Sequence, residues 1–584
     1  MTTLQQLRQD DIYSFLNICR QNVIIFYDYA MKNLTSRISM KQCLAEPRRA
    51  HYRGGLIINP EFNSGIEGWS VFGQGAIKER TSKGGNRFIV AHSRRKPLDS
   101  FSQKIQLEKG KLYSFSAWVQ ISEGSETVTA VFKTYDGKLI YGGRVLAKHG
   151  CWSLLKGGFV ANFTSPVLII FESKNARVEI WADSVSLQPF TKEQWRSHQD
   201  KSIEKVRKQK VRFHLTYANK TALEGGVISI KQIKSGFPFG CGMNHYILTS
   251  TEYQNWFASR FKFTTFTNEM KWYSTEKIQG EENYTIPDAM VKFCKHNGIS
   301  IRGHNIFWDN PKHQPQWVKT LSPKDLKEAA ATRINSVTSR YAGQLIHWDV
   351  MNENLHFSFY EDNLGKNASA EFYRTAQLLD PSTTMFLNEY NTIELSKDKA
   401  VNPLNYAKKL EEIISYPGNA NMSLGIGLQG HFSSDKPNIA YMRSALDLLG
   451  STGFPIWLTE VDVDKGPNQS QYLEEILREA YSHPAVKGII SFAGPEAAGF
   501  NVMPLADKDF NSTAAGDVVD KLLHEWKSGA LETAAGSNGF SEISLFYGDY
   551  NITIKHPVTN SSTSISFKVT EELPRETIHV QINV

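Results

Sequence analysis

The chain has 584 residues, of which 41% are hydrophobic, 21% charged and 12% aromatic, a balance that supports several buried cores and excludes a wholly disordered, collagen-like or coiled-coil protein. Its 66 Lys and Arg against 59 Asp and Glu leave a net charge of +7, too slight over this length to point to nucleic acid. Five cysteines, Cys19, Cys43, Cys151, Cys241 and Cys294, are too widely spaced for a CxxC metal site or a disulfide framework, though one or two bridges are compatible with them.

Residues 1–53 are mixed and basic and form a lead-in of unknown fold. The first 30 do not read as a signal peptide, because the apolar stretch from Ile12 to Tyr27 is broken by Asn17, Arg20, Gln21 and Asn22. Ten Asn-x-Ser/Thr acceptors, at Asn33, Asn162, Asn219, Asn283, Asn367, Asn421, Asn468, Asn511, Asn551 and Asn560, exceed the roughly four or five expected by chance and point to a secreted protein. No apolar run reaches the roughly 18 residues of a spanning helix, so no membrane segment is expected.

From residue 54 to 188, alternating runs such as RFIVAH, KLYSFSAWVQI and PVLIIFE, broken by Gly-rich turns, predict a β-sandwich. Residues 189–212 are polar and charged, without Gly or Pro from 191 on, and predict an exposed linker helix. Between 213 and 528, eight strand-like runs alternate with helical stretches: FPFGCGMN, FKFTTFTNEMKW, ISIRGHNIFW, LIHWDVMNEN, TMFLNEYN, LGIGLQGHF, PIWLTEVDV and GIISFAGP. Eight such repeats predict a (β/α)8 TIM barrel. Residues 529–584, with NITIKH, SISFKV and HVQINV, predict a short β C-terminal appendage.

A TIM barrel builds its site where strands end, so polar residues there are functional candidates. They recur at nearly every strand: Asn268, Lys271 and Trp272; His304, Asn305, Trp308 and Asp309; Asn352, Glu353, Asn354 and His356; Asn388, Glu389 and Tyr390; Gln429 and His431; Glu460, Asp462 and Asp464. Glu353 and Glu460 each follow an apolar strand directly, and a facing carboxyl pair is what retaining glycoside hydrolysis requires, one protonated as acid and one ionised as nucleophile. Asn352 is placed to donate to a sugar hydroxyl and His431 to tune Glu460, while Trp272 and Trp308 offer flat faces for sugar rings.

Residues 205–528 resemble glycoside hydrolase family 10, the endo-β-1,4-xylanases, and most closely its plant branch, through NEMKW, RGHNIFW, HWDVMNEN, FLNEYN, GIGLQGHF and GFPIWLTEVDV in family order. The resemblance implies Glu353 as general acid/base and Glu460 as nucleophile, with Asn268, Lys271, His304, Trp308, Asn352, Tyr390, Gln429 and His431 binding the sugar or supporting the carboxylates. The chain departs from the family at Thr267, where Glu is usual, at Asp309, where His is usual outside the plant branch, and at Phe492, where a Trp roofs the cleft. Residues 54–188 resemble a family 22 carbohydrate-binding module through NPEFNSGIEGW, SFSAWVQ and VEIWADSVSL, which implies Arg94, Tyr113, Trp118 and Glu172 as ligand contacts. Leu98 stands where that family places a cleft aromatic.

The function so implied is a retaining endo-β-1,4-xylanase acting on cell-wall xylan, extracellular or in the wall. The alternatives are a xylan transglycosylase, or a non-catalytic xylan-binding wall protein. Xylan is the expected partner, without nucleic acid or membrane, and a monomer is expected. No cofactor is required and no metal ligands are assigned; a structural calcium often accompanies such modules by family analogy, but no acidic cluster here identifies one.

Overall fold

The computed structural model describes residues 43–559, 561–571 and 577–582. Most of the lead-in, the interrupted apolar stretch, Cys19 and the acceptors Asn33 and Asn560 lie outside the described residues.

The N-terminal module is a sandwich of a six-stranded and a five-stranded sheet. Alternate residues of both sheets, among them Ile89, Phe115, Val119, Phe132, Ile169 and Phe171, meet in one core, as a half-buried strand's period of two dictates. The module starts earlier than residue 54: Cys43–Leu44 pairs antiparallel with Ser153 and Trp152, and Cys43 is disulfide-bonded to Cys151. This edge strand is too short for hydrophobic patterning to reveal it.

The predicted linker helix is real but shorter. It spans Lys192–Val206 and opens on a capping box, in which the Thr191 side chain accepts the Gln194 amide and Gln194 caps in return. It is not a free spacer. Trp195 Nε1 and Gln199 Nε2 donate to Glu479 Oε2 on the barrel at 2.8 and 2.7 Å, and Glu479 is also paired with the buried Arg443. The basic residues after it form a strand, Lys208–Tyr217, in which Val211, Phe213 and Leu215 point inward between Lys210, Arg212 and His214.

Eight parallel strands form the barrel: β1 (Phe239–Met243), β2 (Phe263–Phe266), β3 (Ser300–Trp308), β4 (His347–Asn352), β5 (Thr384–Glu389), β6 (Leu424–Leu428), β7 (Ile456–Val463) and β8 (Val486–Ser491). Pairing runs in order from β1 to β8, and β1 pairs with β8 to close the ring. The module rests on the barrel helix Ile439–Gly450. Gly158 permits the close approach, since a Cβ there would lie 2.7 Å from the Ala440 carbonyl, and Lys156 pairs with Asp447 at 3.4 Å.

The C-terminal segment is not an appendage. Its strands join two that precede the barrel: Lys208–Tyr217 lies between Phe540–Phe546 and Thr577–Ile582, and Val227–Ser235 lies between Ala530–Ala534 and Gly548–Lys555, which Ser562–Val569 flanks. The two sheets enclose a separate core that includes Phe213, Leu215, Ile228, Ile230, Leu545, Ile552 and Val580. The segment looked too short for a domain because two of that domain's seven strands lie far upstream, as the pairing of Lys208 with Phe546 shows.

Deleting residues 530–584 therefore uncovers Phe213, Leu215 and Ile228, each 0% exposed, at about 1.5–3 kcal/mol apiece. The truncated protein is expected to bind a hydrophobic dye and to melt well below the full chain in a circular dichroism scan. An unchanged melt would show the sandwich to be dispensable.

Candidate active site

The polar strand ends meet at one mouth of the barrel. Asn352 is the last residue of β4, and Glu353 follows it in the left-handed region with φ of +63°, a sparsely populated conformation for a side-chain-bearing residue. Its N–H donates to the Asn388 carbonyl at 2.9 Å, which holds the turn. Glu460 lies within β7, its N–H bonded to the Gln429 carbonyl at 2.8 Å.

Asn388, at the end of β5, joins the two. Its Nδ2 donates to Glu460 Oε1 at 2.7 Å and to Asn352 Oδ1 at 2.9 Å, while its Oδ1 accepts the Thr459 hydroxyl at 2.6 Å. Gln429 Nε2 also donates to Asn352 Oδ1 at 3.3 Å. With its oxygen so occupied, Asn352 keeps its own N–H groups for a ligand.

The electrostatics separate the two carboxyls. Burial pushes Glu353 up to about 7, reinforced by Glu389 and Glu460 and opposed by the polar side chains of Trp308 and Gln429 beside it. Burial alone would raise Glu460 too, but His304, His431 and Lys271 outweigh it and hold that carboxyl well below the usual range. His431 Nε2 stands 3.6 Å from Glu460 Oε2, and its Nδ1 donates to Asp462 at 2.8 Å; burial opposes its charge, but the two carboxylates hold its pKa well above normal. His304 lies 4.0 Å from Glu460 and is oriented by Asp349 at 2.9 Å, which Arg302 pairs at 2.6 Å.

The remaining candidates line the rim. Lys271 Nζ donates to the exposed Asn268 at 3.2 Å and lies 4.6 Å from the Trp308 ring centre. Trp308 also stacks on His313 at 3.9 Å, so little of its flat face stays open. Tyr390 stacks on His356 at 3.8 Å, and His356 is held by Glu389 at 2.6 Å and Asp398 at 3.2 Å. Asp309, buried and pushed up to about 6, accepts Asn354 and the Tyr360 amide and so pins the β4 loop. Phe492 meets His431 edge-on at 6.0 Å.

Four expected sugar contacts are structural instead. Trp272 is buried, donates to Glu276 at 2.7 Å and packs on Phe307 and Trp317. In the module, the Arg94 guanidinium is spent on the carbonyls of Pro97, Asp99, Ser173, Asn175 and Val178. Tyr113 is 0% exposed, stacks on Phe159 and accepts the Glu108 amide, and Trp118 sits in a small core with Phe88 and Trp152. Trp272, Arg94 and Tyr113 have their polar tips consumed locally, and Trp118 is simply buried. Glu172 stays half-buried at a strand end, opposite Thr129.

Among the described residues no group of three or more His, Cys, Asp and Glu is arranged to hold a metal ion. Module residue Asp183 is pushed up to about 7 by burial, with Glu61 and Glu46 adding to the rise. No helix among the described residues is long and apolar enough to cross a membrane.

A parallel barrel with a raised and a lowered carboxyl among amide and imidazole donors defines a glycosidase-type site. The profile for glycosyl hydrolase family 10 matches residues 229–493, and that for a carbohydrate binding domain matches residues 54–177. The chain is 51% identical over 550 residues to endo-1,4-beta-xylanase 5-like of Arabidopsis thaliana, covering 92% of each protein. It is 50% identical over 555 residues to endo-1,4-beta-xylanase 5 of the same plant, covering 93% of each. Among solved structures, the CBM22-1–GH10 modules of Clostridium thermocellum xylanase 10B, complexed with xylohexaose, match at 16% identity and a TM-score of 0.42, covering 80% of this chain and 96% of that one. The chain belongs to glycosyl hydrolase family 10.

Asn388 was visible in sequence only as one polar strand end among many; its neighbours across the barrel give it weight. Asn388→Ala removes a hydrogen bond to a charged carboxylate, about 1.5–3 kcal/mol, and is expected to lower glycoside turnover at least about tenfold. Steady-state kinetics beside a thermal melt check this; an unchanged kcat would show that Glu460 needs no such support.

Proposed function

We propose that the protein is a retaining endo-1,4-β-xylanase that hydrolyses xylan by double displacement. The observation that carries this reading is the opposite displacement of two buried carboxyls, Glu353 up to about 7 and Glu460 well below the usual range. One is thereby kept protonated at neutral pH and the other ionised. Glu353 gives its proton to the leaving glycosidic oxygen while Glu460 attacks the anomeric carbon, forming a covalent glycosyl-enzyme. Neutralising Glu460 in that ester lowers the pKa of Glu353, which then takes a proton from the incoming water as the sugar is released. Asn352 donates to the sugar beside Glu460, His431 and His304 sustain the carboxylate, Gln429 supports Asn352, and Asn268, Lys271, Trp308 and Tyr390 bind the chain. The xylanase names of the half-identical plant relatives support xylan as substrate.

The N-terminal domain, of family 22 in this reading, holds the same polysaccharide, with Glu172 as its remaining candidate contact. Turnover needs no cofactor in this reading, and among the described residues no group of His, Cys, Asp and Glu fits the calcium that family analogy gives the module. We propose a secreted, monomeric wall glycoprotein. The Cys43–Cys151 bridge suits an oxidising compartment, and the asparagines of all eight described acceptor sequons are exposed.

Glu353→Gln and Glu460→Ala are each expected to remove nearly all reducing-end release from glucuronoxylan while the melt stays unchanged, with the wild type releasing β-anomer first by NMR. Wild-type rates in either variant would overturn the assignment, and longer labelled products from xylo-oligosaccharides would favour transglycosylation. A folded wild type that binds xylan but releases nothing would favour the wall-binding alternative.

The pH profile follows from the same two groups. Glu353 must hold its proton, so kcat/KM is expected to fall as pH rises through about 7; Glu460 must be ionised, so the acid limb lies below the ordinary carboxylate range. A basic limb at an ordinary glutamate pKa would contradict the assignment of Glu353 as acid.

A further inference from the structure

The loop after β5 carries a carboxylate that neither catalytic step uses. Glu394 Oε1 accepts the backbone N–H of Gly430 at 2.8 Å, and its Oε2 accepts that of Ile393 at 2.8 Å. Gly430 sits just past β6, between Gln429 and His431, with φ of +81°, a conformation that favours glycine. Its two chain neighbours bear on the carboxyl pair: Gln429 on Asn352 and Glu353, His431 on Glu460. The Gly430 carbonyl accepts the Asp462 N–H at 3.2 Å, and Asp462 is the second partner of His431. The loop bearing Glu394 is also fixed from outside, because the Tyr441 hydroxyl, on the helix beneath the N-terminal module, donates to the Thr392 carbonyl at 3.1 Å.

The geometry points to Glu394 as a positioning residue, a carboxylate clamp that ties the β5 loop to the β6 turn and so sets where Gln429 and His431 stand against Glu353 and Glu460. Burial pushes Glu394 up to about 7, but a carboxyl oxygen accepts the Gly430 amide directionally in either protonation state, most strongly when ionised. Glu394 therefore acts on the reacting groups through the backbone between them, without touching the sugar. This inference rests on the roles given above to Glu353 and Glu460. Losing the clamp lets the Gln429–His431 turn shift, and a displacement of about 1 Å costs on the order of 10²-fold in rate. The loss falls on kcat, because the reacting carboxyls rather than the distal sugar contacts are disturbed.

The test compares wild type, Glu394→Ala and Glu394→Gln as full chains, by kinetics on a xylo-oligosaccharide and by amide hydrogen exchange over the β6 turn. In Glu394→Ala, Gly430 is expected to exchange faster and kcat to fall about tenfold or more, with KM within about threefold of wild type. Glu394→Gln keeps one oxygen for the Gly430 amide and is expected to recover most of both readouts. Glu394→Asp, a methylene too short to reach, repeats the alanine test with the charge retained and is expected to behave like alanine. Unchanged exchange at Gly430 in the alanine and aspartate variants, or wild-type kcat in both, would overturn the clamp. The exchange readout needs no turnover, so a wild type that hydrolyses no xylan would overturn the proposed function and leave the clamp to be judged by exchange.

Discussion

Closure of the parallel ring is the constraint on which the site depends. Because β6 pairs with β7 and β8 with β1, the C-terminal ends of β4, β5 and β7 converge, and the Asn388 amide can reach both Asn352 and Glu460. A shift of one residue in any of these strands would turn its functional side chains from the mouth into the wall. The Thr459 hydroxyl on Asn388 Oδ1 fixes which end of that amide donates. Two carboxyls remote in sequence are thus set by the same hydrogen-bonded layer.

Within that layer, burial pushes both carboxyls the same way, and their partners decide the difference. Glu353 faces Glu389 and Glu460, like charges that add to the desolvation penalty. Glu460 faces His304, His431 and Lys271, whose positive field exceeds its penalty. The division of labour between an acid and a nucleophile is therefore an outcome of neighbours rather than of depth. Asp349 and Asp462 sustain it one step removed, by orienting His304 and His431.

The barrel carries two further β domains on opposite kinds of attachment. The N-terminal module is seated through a close backbone approach at Gly158, the Lys156–Asp447 pair and a helix stapled to Glu479. The C-terminal sandwich is instead interleaved with the chain that enters the barrel, so its core forms only when both ends of the catalytic domain are in place. Such a domain has high contact order and folds as part of the whole.

Much of this was legible in the residues themselves. The eight barrel strands, the sandwich period and the polar strand ends all rest on local alternation and composition, which need no partner to be read. Glu353 and Glu460 stood out because a carboxylate directly after an apolar strand is locally anomalous. What sequence could not supply depends on long-range pairing. The run from Lys208 looked helical because its charges mask a period of two that matters only once Phe540–Phe546 lies beside it. Arg94, Tyr113, Trp118 and Trp272 looked like ligand contacts because residue type does not say whether a side chain is buried or its polar tip already satisfied. Sequence by itself determined which strands exist and which polar residues end them; only the tertiary structure decided which of those residues meet, since closing the ring and burying the carboxyls are acts of the whole chain.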